Sequence, residues 1–291
     1  MKIGIIGGSG LYDLEGIEKI DEVEVETPFG APSDSYIHGA IGGRDLYFLP
    51  RHGKNHSIMP SEINHRANIF GFKKLGVECV ISVSAVGSLR EDMRPRDIML
   101  PDQYFDRTKK SLEHTFFGEG LVAHVGFGEP TCFELRRAIA VSIERVLEGE
   151  DTRRDLRVQD GGTYVNMEGP AFSTKAESNT YRKLGFDIIG MTSLPEAKLC
   201  REAEICYQNI SMITDYDCWH ESEDDVTAAS VYSHLTANSE MAKSVLLDLL
   251  PSIPEKRSCG CGSALACAIM TQRGAAEETR KKLEPIVGKY L

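Results

Sequence analysis

The 291-residue sequence contains no apolar run of the roughly 18 residues that a membrane-crossing helix requires. Its N-terminal run, MKIGIIGGSG, breaks at Gly7-Gly8 before a signal-peptide core could form, so a cytoplasmic protein with no membrane partner is expected. Basic charge is in deficit: 33 Lys and Arg against 44 Asp and Glu leave a net charge of -11, which argues against a nucleic-acid partner. A small anion can still be held locally by Arg, His and backbone N–H groups. Pro, Gly and Ser nowhere gather into a linker and no period of roughly 20–50 residues recurs, which leaves one domain over residues 1–291 as the expectation. Two glycine fingerprints are also missing. G-x-G-x-x-G begun at Gly8 would need Gly at position 13 and finds Asp13, and no Gly-Lys-Ser/Thr follows for a P-loop. The eight cysteines are scattered, unlike a small disulfide framework, and most sit in apolar runs as small buried hydrophobes. Cys259-Gly260-Cys261 is the exception.

What the chain does have is a series of apolar, β-branched runs that end in polar groups, alternating with helical patterns, as in the α/β class. Ile205 to Trp219, ICYQNISMITDYDCW, delivers Asp215 and Asp217 to the end of a strand. Ligands of open α/β sheets bind outside the carboxyl ends of the strands, so the two acids are site candidates; Asp also caps helices, and that role is equally open to them. Lys2 to Ile6 reads as a strand followed by the turn Gly7-Gly8-Ser9-Gly10, which suits an anion or serves as a plain turn. Asp45 to Leu49 is followed by Arg51-His52, and Cys79 to Ala85 by a turn through Ser84, Ala85 and Gly87. Three strand ends with matching chemistry suggest one phosphate site.

His52 and His56 stand four residues apart, as a metal pair would. Gly53 and Asn55 oppose the helix such a pair needs, and no carboxylate occupies the H-E-x-x-H position, so no metal is expected there. Residues 102–128 read as a loop-rich lid or subunit contact carrying His114 and His124. Thr163 to Met167 reads as a strand leading to a turn that presents Phe172 for stacking and Ser173 for hydrogen bonding. Asp187 to Gly190 is a strand ending in Met191-Thr192, where Met191 is either core or site. Further helices are expected from Ser61-Glu62 to Gly76, Pro130 to Glu148, Lys175 to Leu184 and Val226 to Leu250, with two more helical segments from about Ser263.

Taken together, GGSGL, TPFG-x-PSD, RHG-x-x-H-x-IMPS, SLRE, DRT, EGP-x-FS and TDYDCW, in this order from Gly4 to about Val231, resemble the methylthioadenosine phosphorylase branch of the trimeric purine nucleoside phosphorylase family. The resemblance implies a single-domain mixed twisted β-sheet surrounded by helices, with a helical tail from about residue 252. It implies phosphorolysis: inorganic phosphate attacks C1' of 5'-methylthioadenosine, giving adenine and 5-methylthioribose 1-phosphate for purine and methionine salvage. No metal or organic cofactor is implied, phosphate being a co-substrate. Phosphate would be held by Ser9, Arg51, His52, Ser84, the Ala85 N–H and Thr192. Phe172 and Ser173 would meet the purine, and Met191 the ribose. Asp215 would meet purine N7, with Asp217 at the 6-amino group or relaying a proton. His56, Ala228 and Val231 would line the 5' end, with His124 contributed by a neighbouring subunit of a homotrimer or homohexamer.

The alternative in the same superfamily is a 6-oxopurine or methylthioinosine phosphorylase, whose members carry Asn in place of Asp215 and Glu in place of Ser173. A Rossmann-type nucleotide binder without phosphorolytic activity leaves Arg51-His52 and the two acids without a task. Heat-stable relatives carry disulfides around their Cys-x-Cys. A reducing cytosol favours free thiols here, and zinc lacks a second cysteine pair nearby in sequence.

Overall fold

The computed structural model describes residues 1–8, 11, 18–149, 155–220, 228–271 and 276–291. In chain order the strands are β1 (Lys2–Gly7), β2 (Glu18–Val23), β3 (Tyr36–Ile41), β4 (Arg44–Pro50), β5 (Val77–Ser88), β6 (Ile98–Leu100), β7 (Gln103–Arg107), β8 (Val158–Asp160), β9 (Thr163–Met167), β10 (Ile188–Gly190) and β11 (Cys206–Asp215). The helices are α1 (His65–Lys74), α2 (Phe133–Glu148), α3 (Lys175–Lys183), α4 (Ser193–Glu202), α5 (Ala228–Ser252), α6 (Glu277–Lys282) and α7 (Glu284–Val287). All the strands join one mixed sheet whose longest path runs β2-β3-β4-β1-β5-β10-β9-β7, with β11 on β5 and then β6 and β8 beyond it.

β4, β1, β5 and β11 run parallel. Their apolar residues face helices on both sides, which is why these segments read as continuous hydrophobic runs rather than alternating ones. On one face Ile3, Ile5, Ile81 and Ile210 pack with Ile139 and Ile143 of α2 and Val245 and Leu249 of α5. On the other, Ile6, Val80 and Tyr207 pack with Phe70 of α1, Leu199 of α4, and Leu265, Leu283 and Ile286 of the tail. The tail's two helices, α6 and α7, begin at Glu277, later than Ser263, where only a single 3-10 turn (Gly260–Ser263) ends. No helix among the described residues is long and apolar enough to cross a membrane.

Five elements depart from the sequence reading. β5 does not turn at Ser84 but continues to Ser88, because β11 pairs with it as far as Asp215↔Gly87, with a shift in register between Ile213 and Asp215. β7 lies inside the stretch read as loop; among the described residues it is an exposed edge strand paired with β9 alone, so it carries no apolar run. β2 and β8 are likewise short and poorly buried. α4 is buried on nearly every side, so its sequence SLPEAKLCRE shows no amphipathic period.

The partners of β5 change along its length. β1 pairs with it up to Ile6↔Ser82, and β10 takes over antiparallel only at Gly87 and Ser88. Val83 to Val86 fall in the gap between β1 and β10, and the functional site opens there.

Candidate active site

A cavity of about 320 Å³ opens at the carboxyl ends of β1, β4, β5, β10 and β11 and is closed on one side by α5. Arg51, His52, His56, Ser84, Ala85, Phe172, Met191, Thr192, Asp215 and Asp217 all line it. Ser173 and His124 do not. Ser9 and the side chains of Ala228 and Val231 lie outside the described residues.

Arg51 enters from the end of β4 and bridges the gap beside β5. Its Nη1 donates to Val83 O at 3.1 Å, and its Nη2 to Ser82 Oγ at 2.7 Å and Ile6 O at 3.5 Å. Nε donates to Glu196 Oε1 at 2.6 Å. Of the five N–H donors of a guanidinium, one on Nη1 is left for a ligand. Burial alone would make Arg51 less basic, but the adjacent Glu196 charge more than offsets this and its pKa rises.

His52 Nδ1 donates to Ile58 O at 2.8 Å, which leaves Nε2 to face a ligand. Burial first, and then the Arg51 charge, lower its pKa to about 4. His56 stacks on it with ring centroids 4.6 Å apart, in a left-handed backbone conformation (φ 51°) within a turn and not on a helix.

Ser84 is oriented from β11: Asn209 Nδ2 donates to Ser84 Oγ at 3.0 Å and to Ser82 Oγ at 3.1 Å. The Ser84 hydroxyl proton then serves Asn209 Oδ1, 3.2 Å away, or a ligand. Ala85 is exposed where its neighbours are buried, as expected of backbone that borders a cavity. Thr192 is the N-cap of the ten-residue α4, and its hydroxyl makes no cap hydrogen bond. The partial positive charge of that helix start lies beside it.

The two acids close the far end of β11. Asp215 Oδ2 accepts from Thr214 Oγ1 at 2.7 Å, and Oδ1 accepts from the Asp217 N–H at 2.8 Å. The 3-10 turn Asp217–Trp219 that follows has Tyr216 as its N-cap and no side-chain cap hydrogen bond, so neither acid serves as its cap, and both line the cavity. Asp217 is buried in the left-handed region (φ 52°), which Asp tolerates, and its Oδ2 has no hydrogen-bond partner among the described residues. Burial raises its pKa, while the nearby Ser178 and Ser173 hydroxyls pull it the other way.

Phe172 is 50% exposed, and Met191 packs so closely on Gly169 that a Cβ there would stand 2.5 Å from its sulfur. Met191 is half-buried and lines the cavity. His124 lies on the segment that pairs with the tail through Ala123↔Ile269. Sequence reasoning missed Asn238 and Ser239 of α5, which look like the polar face of a long helix but line the cavity. Asn238 Nδ2 also holds Ile213 O at 3.0 Å, fixing the end of β11. Glu196 was missed too; the need of a buried Arg51 for a counter-ion was the available signal.

Residues 2–251 match the family described as the phosphorylase superfamily. An S-methyl-5'-thioadenosine phosphorylase from Koribacter versatilis is 53% identical over 291 residues, covering 100% of this chain and 97% of the relative. The chain belongs to the S-methyl-5'-thioadenosine phosphorylase family. Another S-methyl-5'-thioadenosine phosphorylase, from Geobacter sulfurreducens, is 50% identical over 99% of both chains. The fold is shared with a methylthioadenosine phosphorylase from an antarctic soil metagenomic library, at a TM-score of 0.91 and 42% identity over 98% of both chains. The Schistosoma mansoni methylthioadenosine phosphorylase, solved in complex with adenine, superimposes at a TM-score of 0.81 and 34% identity, covering 88% of this chain and 92% of that one.

Proposed function

We propose that this chain catalyses the phosphorolysis of 5'-methylthioadenosine to adenine and 5-methylthioribose 1-phosphate, acting in the cytoplasm in purine and methionine salvage. The observation that carries the reading is the meeting, in one cavity, of anion-binding groups at the ends of β4, β5 and β10 with two carboxyl groups at the end of β11. Such a cleavage develops positive charge on the sugar and negative charge on the leaving purine, so it needs an anion on one side and a proton on the other.

In this reading phosphate is held by Ser9, Arg51, His52, Ser84, the Ala85 N–H and Thr192. The single N–H that Arg51 retains and the aligned Ser84 hydroxyl are preorganised donors. The phosphate dianion then stabilises the sugar cation as well as attacking it. Phe172 and Met191 hold the purine and ribose, and His56, Ala228 and Val231 face the 5' substituent.

Asp215 receives two donors, as a carboxylate does, and meets N7 of the base as that nitrogen takes up its proton. Asp217, whose pKa is raised by its burial, relays the proton or meets the 6-amino group. The two titrate as a pair. Phosphate is the co-substrate, and the reaction uses no metal or organic cofactor. His124 completes a neighbouring subunit's site in a homotrimer, with a homohexamer as its larger form. Its position outside its own chain's cavity supports this, as does the 82% exposed Leu112 on the same segment.

The 6-oxopurine alternative is disfavoured by Asp215 and Ser173. The deciding experiment incubates the protein with 5'-methylthioadenosine, methylthioinosine, adenosine and inosine, with and without phosphate, and measures free base. Phosphate-dependent adenine release is expected, with adenosine a poorer substrate. Base release without phosphate, or preferential release of hypoxanthine, would overturn the reading.

A further inference from the structure

Cys132, Cys206, Cys259 and Cys261 come from three distant parts of the chain, yet their four sulfurs all lie within 4.8 Å of one another. The sequence offered no second cysteine pair near Cys259-Gly260-Cys261, and the fold supplies one. Cys132 is the N-cap of α2, and Cys206 is the first residue of β11. These two are tied by the Cys132 N–H, which donates to Tyr207 O at 2.9 Å. Cys259 and Cys261 come from the 3-10 turn after α5. Three of the four are buried, and all four are free thiols.

We propose that these four cysteines form a structural tetrathiolate site for a soft divalent cation, Zn2+. With Zn–S bonds of about 2.3 Å, a tetrahedral site sets its sulfurs roughly 3.8 Å apart. The Cys206–Cys259 separation of 3.3 Å and the 4.8 Å ceiling for the whole group bracket that value. Each sulfur faces three others within this ceiling, the arrangement of a coordination shell.

The surroundings suit thiolates. A helix N-terminus, where Cys132 stands, favours the deprotonated sulfur. The Arg257 guanidinium packs against the residue after Cys261, so closely that a Cβ on Gly262 would stand 2.6 Å from Nη2. It is anchored by donating to Glu204 O at 2.6 Å. On binding, four thiols release four protons to solvent, four S–Zn bonds form, and no electron is transferred. The site would pin the tail to the start of α2 and of β11. Asp215 lies nine residues further along that strand, roughly 30 Å away at ~3.3 Å per residue, so the role is structural and independent of the proposed reaction.

The test begins with elemental analysis of protein purified without chelator from zinc-supplemented cells, where one zinc per chain is expected. Zinc is then released with a mercurial, excess thiol is added, and the reduced full-length chain is titrated with Co2+. The thiolate-to-cobalt charge-transfer bands of a tetrahedral sulfur site should saturate at one equivalent. Cys259→Ser and Cys261→Ser should lose zinc and those bands, whereas Cys267→Ser should keep both. Removing zinc should lower the melting temperature while leaving kcat within about twofold, since the site is remote from the chemistry. Disulfides joining these cysteines in the purified protein, or a fully reduced wild-type chain that gives no charge-transfer bands, would overturn the proposal. The wild-type titration decides the matter even if the variants fold poorly.

Discussion

Arg51 and Glu196, 145 residues apart in the chain, form an ion pair at 2.6 Å with side-chain exposures of only 3% and 1%. Tyr207 Oη donates to the other carboxylate oxygen at 2.8 Å, so the pair is set within a hydrogen-bonded network. Removing one partner of such a pair leaves a buried charge without compensation, which costs about 3–5 kcal/mol. Glu196→Gln should therefore lower the melting temperature by several degrees. With its protein counter-ion gone, Arg51 has phosphate as its remaining anion, so added phosphate should raise the variant's melting temperature more than the wild type's. Equal phosphate-induced shifts would show that Arg51 does not face the bound anion.

Asp217 should trade stability for activity. Its carboxyl is held above the usual carboxylate range by burial, so as pH rises through the folded-state value the protein loses stability that it has at lower pH. Asn has nearly the same shape, does not ionise, and tolerates the left-handed backbone of this position. Asp217→Asn should melt at or above the wild-type temperature at pH 7 to 8. It should lose roughly 10²- to 10⁴-fold in kcat, the usual worth of a general acid. A variant that melts lower and keeps its kcat would reverse the assignment.

Asp215 is the selector of the base. As a carboxylate it can accept from the 6-amino group of adenine but would face the lone pairs of a 6-oxo group. One mismatched buried polar contact costs ~1–3 kcal/mol, or roughly 5- to 150-fold. Asp215→Asn should shift the ratio of kcat/KM for methylthioadenosine over methylthioinosine toward the oxopurine by a factor in that range. Unchanged selectivity would remove Asp215 from this role.

The parts of this site that could be read from sequence are those whose chemistry sits at the end of a recognisable strand. Arg51-His52, Ser84 and Asp215 each follow an apolar run buried on both faces, and such runs are visible without knowing their neighbours. Glu196 was hidden because its meaning lies in a partner across the sheet and its helix is buried all round, without amphipathic rhythm. Asn238 was hidden for the opposite reason, since the polar residues of a long helix ordinarily face water. The extension of β5 through Ser88 was missed because Gly87 resembles a turn residue. It is glycine because of what stands over it, not because of its backbone angles.

Acid sensitivity should trace in part to His52, whose pKa falls from 6.5 to about 4 through burial and the Arg51 charge. Between those values the unfolded chain carries a proton on this imidazole that the folded chain lacks, so stability rises with pH and is lost on acidification. The full effect of this one group is at most about 3 kcal/mol. Buried His65 and His114 act in the same direction. In phosphate-free buffer, His52→Gln should flatten the fall of stability between pH 6.5 and 4.5 relative to wild type without abolishing it. An unaltered acid limb would mean that His52 is charged in the folded protein.

Gly87 supplies the most direct test of the acid pair's geometry. A Cβ at this position would stand 2.9 Å from Asp215 Oδ1, 3.2 Å from Ile189 Cγ2 and 3.4 Å from Asp217 Cβ. Its backbone needs no positive φ, so Gly87→Ala imposes no conformational strain of its own and acts through contact with these three side chains. The Asp215 carboxylate is the neighbour in conflict, and it is tethered by Thr214 and by the Asp217 N–H. Relief must therefore move both acids together by a fraction of an ångström or more. Misplacement of catalytic groups on the ångström scale costs as much as about 10²-fold in rate. Gly87→Ala should thus fold and bind phosphate, measured as a phosphate-dependent rise in melting temperature equal to the wild type's. Its kcat for 5'-methylthioadenosine should fall by about one to two orders of magnitude. Wild-type kcat in a folded Gly87→Ala protein would show that the position of Asp215 beside β5 is not what the chemistry depends on.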